Sequence, residues 1–313
     1  MPEPHRIDIH HHVAPPSFKE ALERTGFTYP PFRNWSIEQS LADMDEGEVA
    51  TAIISLPHPV GVWEGDAAAQ RRLARDWNEF STRLAQDHQG RFGVFATLPI
   101  LDIDGSLREI EYALDTLNAD GIGLMTNIGD RWLGDPHYDP IFAELNRRKA
   151  VAYTHPIAPA CCNNILPGVN DSVIEFATDT TRAIARLLFS GAAARYGDIQ
   201  FIFSHAGGTM PFLFERLETA PVIDRRLADK VPAGVRGYLT RFHYDIAQAA
   251  HPAALAALAR VVAVAQILFG TDFPFRTAAD HARLLAEYGF DASDRRAIES
   301  DNARRLLPRW RAA

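Results

Sequence analysis

The sequence predicts an α/β protein, a distorted (β/α)8 TIM barrel spanning residues 1–313 as one domain, with a small lid insertion after the first strand. Three observations lead there. Short β-rich runs alternate with helix-length segments, the pattern of repeated βα units around a parallel sheet. A length of 313 residues accommodates one barrel of this kind, which runs well past ordinary domain size. Polar residues able to do chemistry recur at the C-terminal ends of the runs, where a barrel gathers its functional groups.

The runs, in order, are 6–12, 52–56, 92–97, 121–126, 151–155, 200–204, 243–246 and 267–271. Between them, Leu73, Trp77, Phe80 and Leu84, and Leu107, Ile110, Leu114 and Leu117, recur at three- and four-residue spacing, the apolar stripe of a helix packed on a sheet. Gly121 and Gly123 leave the fourth run little side chain to pack, so its ends are expected to shift by a few residues. The connections 13–35 and 158–173 are long, follow strands and so belong to the C-terminal face, as candidate lids. The alanine-rich stretch 247–265 reads as one helix.

Composition narrows the function classes. Hydrophobic residues make up 47% and charged residues 23%, the balance of a soluble chain able to bury a large core. The longest apolar stretch, around 255–269, is broken by Arg260 and Gln266, so no membrane span is expected. A net charge of -8, from 32 Lys and Arg against 40 Asp and Glu, argues against a nucleic-acid partner. The cysteines, Cys161 and Cys162, are adjacent and cannot staple distant segments, so they read as reduced thiols in a loop. The first residues lack the basic-then-apolar pattern of a secretory signal, and a cytoplasmic location is expected.

The chemistry lies at the strand ends. In Ile7-Asp8-Ile9-His10-His11-His12, alternation along a strand puts His10 and His12 on one face, toward the barrel interior, with His11 directed outward. Two converging imidazoles are a preformed pair of nitrogen donors for a divalent cation. Such pairs also arise by accident on surfaces, but here other strand ends repeat the pattern. The fifth run ends Tyr153-Thr154-His155-Pro156, the sixth Phe203-Ser204-His205-Ala206-Gly207-Gly208, and the eighth Gly270-Thr271-Asp272-Phe273-Pro274-Phe275. A histidine that merely fills a core, or an aspartate that merely caps a helix, has no reason to recur at the same relative position. Further candidates for lining a substrate pocket are His58, Arg276, Phe27, Tyr29, Phe32 and Trp35, for which loop packing or a solvated charge is the plainer alternative.

These motifs together resemble the amidohydrolase branch that contains aminocarboxymuconate-semialdehyde decarboxylase and the nonoxidative aromatic-acid decarboxylases, over nearly the whole chain. Trp35 with Met44-Asp45, Leu187-Leu188-Phe189-Ser190-Gly191, and residues 242–247 also resemble the subgroup that includes 6-methylsalicylate decarboxylase. The resemblance implies one Zn2+, or Mn2+ as in some members, ligated by His10, His12, His155 and Asp272, with His205 beside it as an acid/base group. It also implies a homodimer, in which the segment around Arg225 and Arg226 reaches toward a neighbouring active site. The semialdehyde decarboxylase carries an arginine shortly after the tryptophan matching Trp35, where this chain reads Ser36-Ile37-Glu38-Gln39-Ser40, which argues against that substrate. The His-Gly-Gly-Gly turn of many members is His205-Ala206-Gly207-Gly208 here.

The implied reaction is decarboxylation of an aromatic acid, with an ortho-hydroxybenzoate held by the metal through its carboxylate and neighbouring oxygen. Asp272 or His205 would then deliver a proton to the ring carbon. The rival enzyme class is hydrolysis or hydration of an amide, lactone or unsaturated acid through metal-bound water, which the same ligands serve. A non-enzymatic metal-binding role predicts a closed site with no pocket.

Overall fold

The computed structural model describes residues 4–25, 30–57, 66–129 and 131–311. Its centre is an eight-stranded sheet formed by β1 Arg6–His12, β2 Val49–Ser55, β3 Phe92–Ala96, β4 Gly121–Met125, β5 Val151–His155, β6 Gln200–Phe203, β7 His243–Asp245 and β8 Ile267–Leu268. The strands neighbour one another in chain order and pair in parallel throughout. Backbone bonds bring the chain after β8 back to β1: Ile9 N–H donates to Phe269 O at 3.0 Å, Asp272 N–H to His10 O at 2.8 Å, and His12 N–H to Phe273 O at 2.9 Å. This is a (β/α)8 barrel, as the alternation of runs predicted.

Each predicted run is present. The largest shifts of boundary are at β2, which starts at Val49, and β8, which ends at Leu268 because its continuation meets β1 through an isolated bridge, His11 with Phe273. The glycines of β4 have a packing role. A Cβ on Gly121 would lie 3.1 Å from the Phe95 ring, and that ring stacks on Tyr153 with centroids 5.1 Å apart inside the barrel. Small residues on β4 therefore leave room for two large ones on β3 and β5. Ile7, Ile9, Ile53 and Ile202 pack with this pair, and Leu307 and Trp310 from the C-terminal segment join the same cluster.

The surrounding helices that bear on the site are α1 Pro16–Thr25, α2 Pro30–Arg33, α3 Ile37–Glu46, α4 Ala67–Asp87, α5 Ile103–Glu111, α6 Asp139–Arg147, α7 Glu175–Phe189, α8 Met210–Ile223, α9 Pro252–Val261 and α10 Ala278–Tyr288. In α4 the predicted stripe buries Trp77 and Leu84 against the core, with Leu73 and Phe80 partly buried beside them. Between β1 and α3 lie the helices α1 and α2. The stretch 247–265 is not one helix, as its alanine content had implied. Proline is unfavourable inside a helix, so α9 starts only at Pro252, capped by the His251 side chain. The residues before it form a turn with Gln248 at φ +53°. No helix among the described residues is long and apolar enough to cross a membrane.

Strand β1 departs from simple alternation in a way that makes the site. Asp8 pairs with Ala52 and His11 with Ile54, so β1 contains an extra residue relative to β2, a β-bulge. Ile7 and Ile9 face the barrel core, and after the bulge His10 and His12 face inward too. Asp8 and His11 point outward together, His11 Nδ1 lying 3.1 Å from Asp8 Oδ2 and His11 Nε2 3.0 Å from Ser40 Oγ on α3. Asp8 Oδ1 accepts from the His10 and Thr271 N–H groups at 3.0 and 3.1 Å, which secures the bulge.

Candidate metal centre and adjoining cavity

His10 and His12 from β1, His155 from the end of β5 and Asp272 after β8 form a buried cluster whose donor atoms all lie within 4.8 Å of one another. His10 Nε2 and His12 Nε2 are 3.0 Å apart, and Asp272 Oδ1 is 3.2 Å from each. The outer ring nitrogens already have acceptors. His10 Nδ1 lies 3.0 Å from Asp245 Oδ2, and His12 Nδ1 lies 3.0 Å from the Ser55 carbonyl. With protons on those Nδ1 atoms, each Nε2 presents its lone pair to the centre, the tautomer that metal-binding histidines adopt. Asp272 Oδ1 is buried without a hydrogen-bond partner, as is His155 Nδ1. Lone pairs converging on a buried centre repel one another unless a cation joins them, and three imidazoles with one carboxylate suit a divalent ion.

Electrostatics agree. Burial opposes charge on His10, yet Asp245 and Asp272 push its pKa up to about 10, so the site draws positive charge and a proton competes with a metal for the same lone pair. Burial, joined by the neighbouring imidazoles His12 and His10, holds His155 well below the ordinary histidine value. Burial would raise Asp272, but the His10, His12 and His205 rings hold it well below the usual carboxylate range.

Backbone geometry places the remaining groups. His205, Ala206, Gln248 and Asp272 have φ of +56°, +57°, +53° and +65°, the left-handed region that non-glycine residues avoid unless their surroundings hold them there. His205 Nε2 lies 3.5 Å from Asp272 Oδ2, and the Gln248 amide donates to that same oxygen at 3.0 Å. Asp245 ties the two halves together: beyond His10, its Oδ1 accepts from the His205 and Ala247 N–H groups, each at 3.0 Å.

A cavity of about 450 Å³ opens against this cluster. His155, His205, Gln248 and Asp272 form its polar end, and Phe32, Pro57, Val173, Phe176, Ala177, Ala249, Ala254 and Phe275 its apolar walls, with Ser172, Gly208 and His251 among the rest. Phe32 and Phe275 meet edge to face with centroids 5.1 Å apart. An open cavity beside the cluster does not fit a closed, purely structural metal site.

The predicted residues distribute as follows. His10, His12, His155, His205 and Asp272 converge. Phe27, Tyr29 and His58 lie outside the described residues. Trp35 is not in the cavity wall; its indole N–H donates to Ser40 Oγ at 2.9 Å, and through Ser40 it braces α3 against His11. Arg276 is exposed and does not line the cavity. Arg226 pairs with Asp224 at 2.7 Å on the surface. Sequence reasoning missed Asp245 and Gln248. Asp245 closes a strand, at the same relative position as the histidines, and that position was its signal; Gln248, in an irregular turn, gave none.

The chain belongs to the amidohydrolase family, whose model matches residues 7–309. It is 34% identical to a 6-methylsalicylic acid decarboxylase of Penicillium expansum, over 97% of this chain and 96% of that protein. Its fold is that of 5-carboxyvanillate decarboxylase from Sphingomonas paucimobilis, with TM-score 0.89, 21% identity and coverage of 98% of this chain and 99% of that one. The same holds for a dihydroxybenzoic acid decarboxylase from Polaromonas solved with bound manganese and 2-nitroresorcinol, with TM-score 0.81, 23% identity and 97% of both chains covered.

Proposed function

We propose that this chain is a metal-dependent nonoxidative decarboxylase acting on an aromatic acid, an ortho-hydroxybenzoate. The observation that carries the reading is the placement of the His10, His12, His155 and Asp272 cluster, with His205 beside it, at the polar end of a cavity whose other walls are apolar. Decarboxylase activity in the Penicillium relative, similar along nearly its whole length, supports it.

The four residues hold one divalent cation, Zn2+ in this reading, since imidazole nitrogens with one carboxylate suit that ion; the manganese in the Polaromonas enzyme makes Mn2+ the alternative. When bound, the cation would supply Lewis acidity toward the carboxylate end of the substrate. The chain's own residues do the rest. Phe32, Phe176 and Phe275 flank the ring, exclude water and fix its plane. The proton for the ring carbon comes from the pair formed by His205 Nε2 and Asp272 Oδ2. His205 delivers that proton to the ring directly or by way of Asp272 Oδ2. The carbon–carboxylate bond then breaks, its electron pair stays with the ring, and CO2 leaves. In this reading α1 and α2 form a lid over the ring, carrying Phe32. A homodimer is also part of the reading, supported by the exposed Phe212, Val222 and Ile223 of α8.

The test is metal analysis of the purified protein, paired with CO2 and ring-product detection over a panel of hydroxybenzoates, with amides and lactones as controls. CO2 release that requires about one metal per chain supports the reading. Metal with hydrolysis of a control and no CO2 overturns it.

A further inference from the structure

Gln248 stands in the turn after β7, yet its side chain is exposed on the cavity wall. Its left-handed backbone, φ +53°, is unfavourable for a residue with a side chain, so something must hold it. The Gln248 N–H donates to His281 Nε2 at 3.0 Å, and His281 Nδ1 lies 3.0 Å from the Thr277 carbonyl. A neutral imidazole donates from one nitrogen and accepts at the other, and both contacts require the same tautomer. Buried His281 thus anchors the turn from behind.

From that anchored backbone the side-chain amide donates to Asp272 Oδ2 at 3.0 Å. The opposite amide orientation would set Oε1 against a carboxylate oxygen, two acceptors in contact, so Asp272 decides which way the carboxamide faces. Oε1 has no hydrogen-bond partner among the described residues, on a side chain that is exposed and lines the cavity. The cavity lining contains no arginine or lysine among the described residues, so a second carboxylate at this wall would have no cation to meet it.

We infer that Gln248 is a specificity-determining residue: its carboxamide, locked by Asp272, presents Oε1 as an acceptor that selects a ring O–H beside the substrate carboxylate and disfavours an ether or a second carboxylate there. This rests on the reading of the cavity as a hydroxybenzoate site and assigns one residue to the choice of substrate within that class.

The experiment measures equilibrium binding of 2-hydroxybenzoate and 2-methoxybenzoate to the metal-loaded protein by calorimetry, independently of turnover. Wild type is compared with Gln248→Met, and Gln248→Leu is read in parallel in case the first does not fold. Loss of the ortho O–H also weakens any metal contact in both proteins, so the informative quantity is the change in the hydroxy-to-methoxy affinity ratio. The ratio is expected to fall by about tenfold in the variants, the size of one hydrogen bond, with metal content unchanged. An unchanged ratio overturns the inference even if CO2 is released. Wild type that binds hydroxybenzoate without releasing CO2 overturns the decarboxylase reading, while the ratio still decides this one. Failure of 2-hydroxybenzoate to bind overturns both.

Discussion

Asp245 Oδ2 lies 3.0 Å from His10 Nδ1, with both side chains fully buried. The carboxylate fixes the imidazole's tautomer and turns its Nε2 to the metal centre, and its other oxygen accepts from the His205 and Ala247 backbones. All these partners are donors, so Asp245→Asn must set an NH2 group against at least one of them. The variant should bind metal about 10- to 100-fold more weakly, the usual effect of losing a ligand's supporting partner. It should also lose about 1–3 kcal/mol of stability. Chelator competition and a denaturant melt read the two effects, and an unaltered metal affinity would remove Asp245 from the site.

His205 separates metal binding from chemistry. Its Nε2 contacts Asp272 Oδ2 at 3.5 Å, while the Asp272 oxygen aimed at His10 and His12 is Oδ1. His205→Ala is therefore expected to keep about one metal per chain and lose the reaction by 10²-fold or more, the scale of a missing general acid. His10→Ala and Asp272→Ala should lose both. Metal loss in His205→Ala would make it a ligand and undo the division of roles.

Parallel strands closing a barrel must bring their C-terminal ends together, so His10, His12, His155, His205 and Asp272 could be gathered from strand positions, while only the resemblance set His205 apart from the other four. What alternation could not reveal is the bulge between Asp8 and His11, without which Ile7, Ile9, His10 and His12 cannot all face inward. Strict period-two reading pairs Asp8 with His10, whereas Asp8 belongs with His11 and Thr271 outside the barrel. Gln248 was hidden for a related reason. It sits in a left-handed turn inside a stretch whose alanines favour helix, and tertiary contacts with His281 and Asp272 override that propensity. Trp35 drew notice through resemblance, but its place is set by the Ser40 hydroxyl on α3.

The turn after β6 separates a position that tolerates a methyl group from one that does not. Ala206 adopts φ +57° with ψ +26°, a left-handed conformation open to L residues at modest cost. Gly208, at φ +67° with ψ -130°, has no such latitude, and a Cβ there would lie 1.9 Å from the Ala177 carbonyl oxygen. Gly208→Ala should therefore destabilise by about 3 kcal/mol or more and displace α7 from the cavity wall. Ala206→Gly should stay within about 1 kcal/mol of wild type, since relief of strain is offset by added freedom in the unfolded chain. Thermal melts compare the pair, and equal effects at both positions would refute the distinction.

Asp43 supplies a pH dependence away from the metal. It lies on α3, 8% exposed, with its two oxygens 3.3 and 3.2 Å from the Ala278 N–H that opens α10. Burial pushes its pKa up to about 6, against the pull of His11 and of that N–H. The folded protein therefore binds this proton more tightly than the unfolded chain, whose aspartate titrates near 4. The penalty for ionised Asp43 is complete above pH 6 and disappears as the pH falls from about 6 to about 4. Asp43→Asn keeps an acceptor for Ala278 and removes the titration. At pH 8 it should be more stable than wild type by about 1–3 kcal/mol, an advantage that shrinks through pH 6 and is gone near pH 4. Denaturant melts of both proteins at these three pH values cancel the titration of every other group in the difference. A pH-independent difference would mean that Asp43 ionises without penalty, with α10's N-terminus stabilising the charge in full.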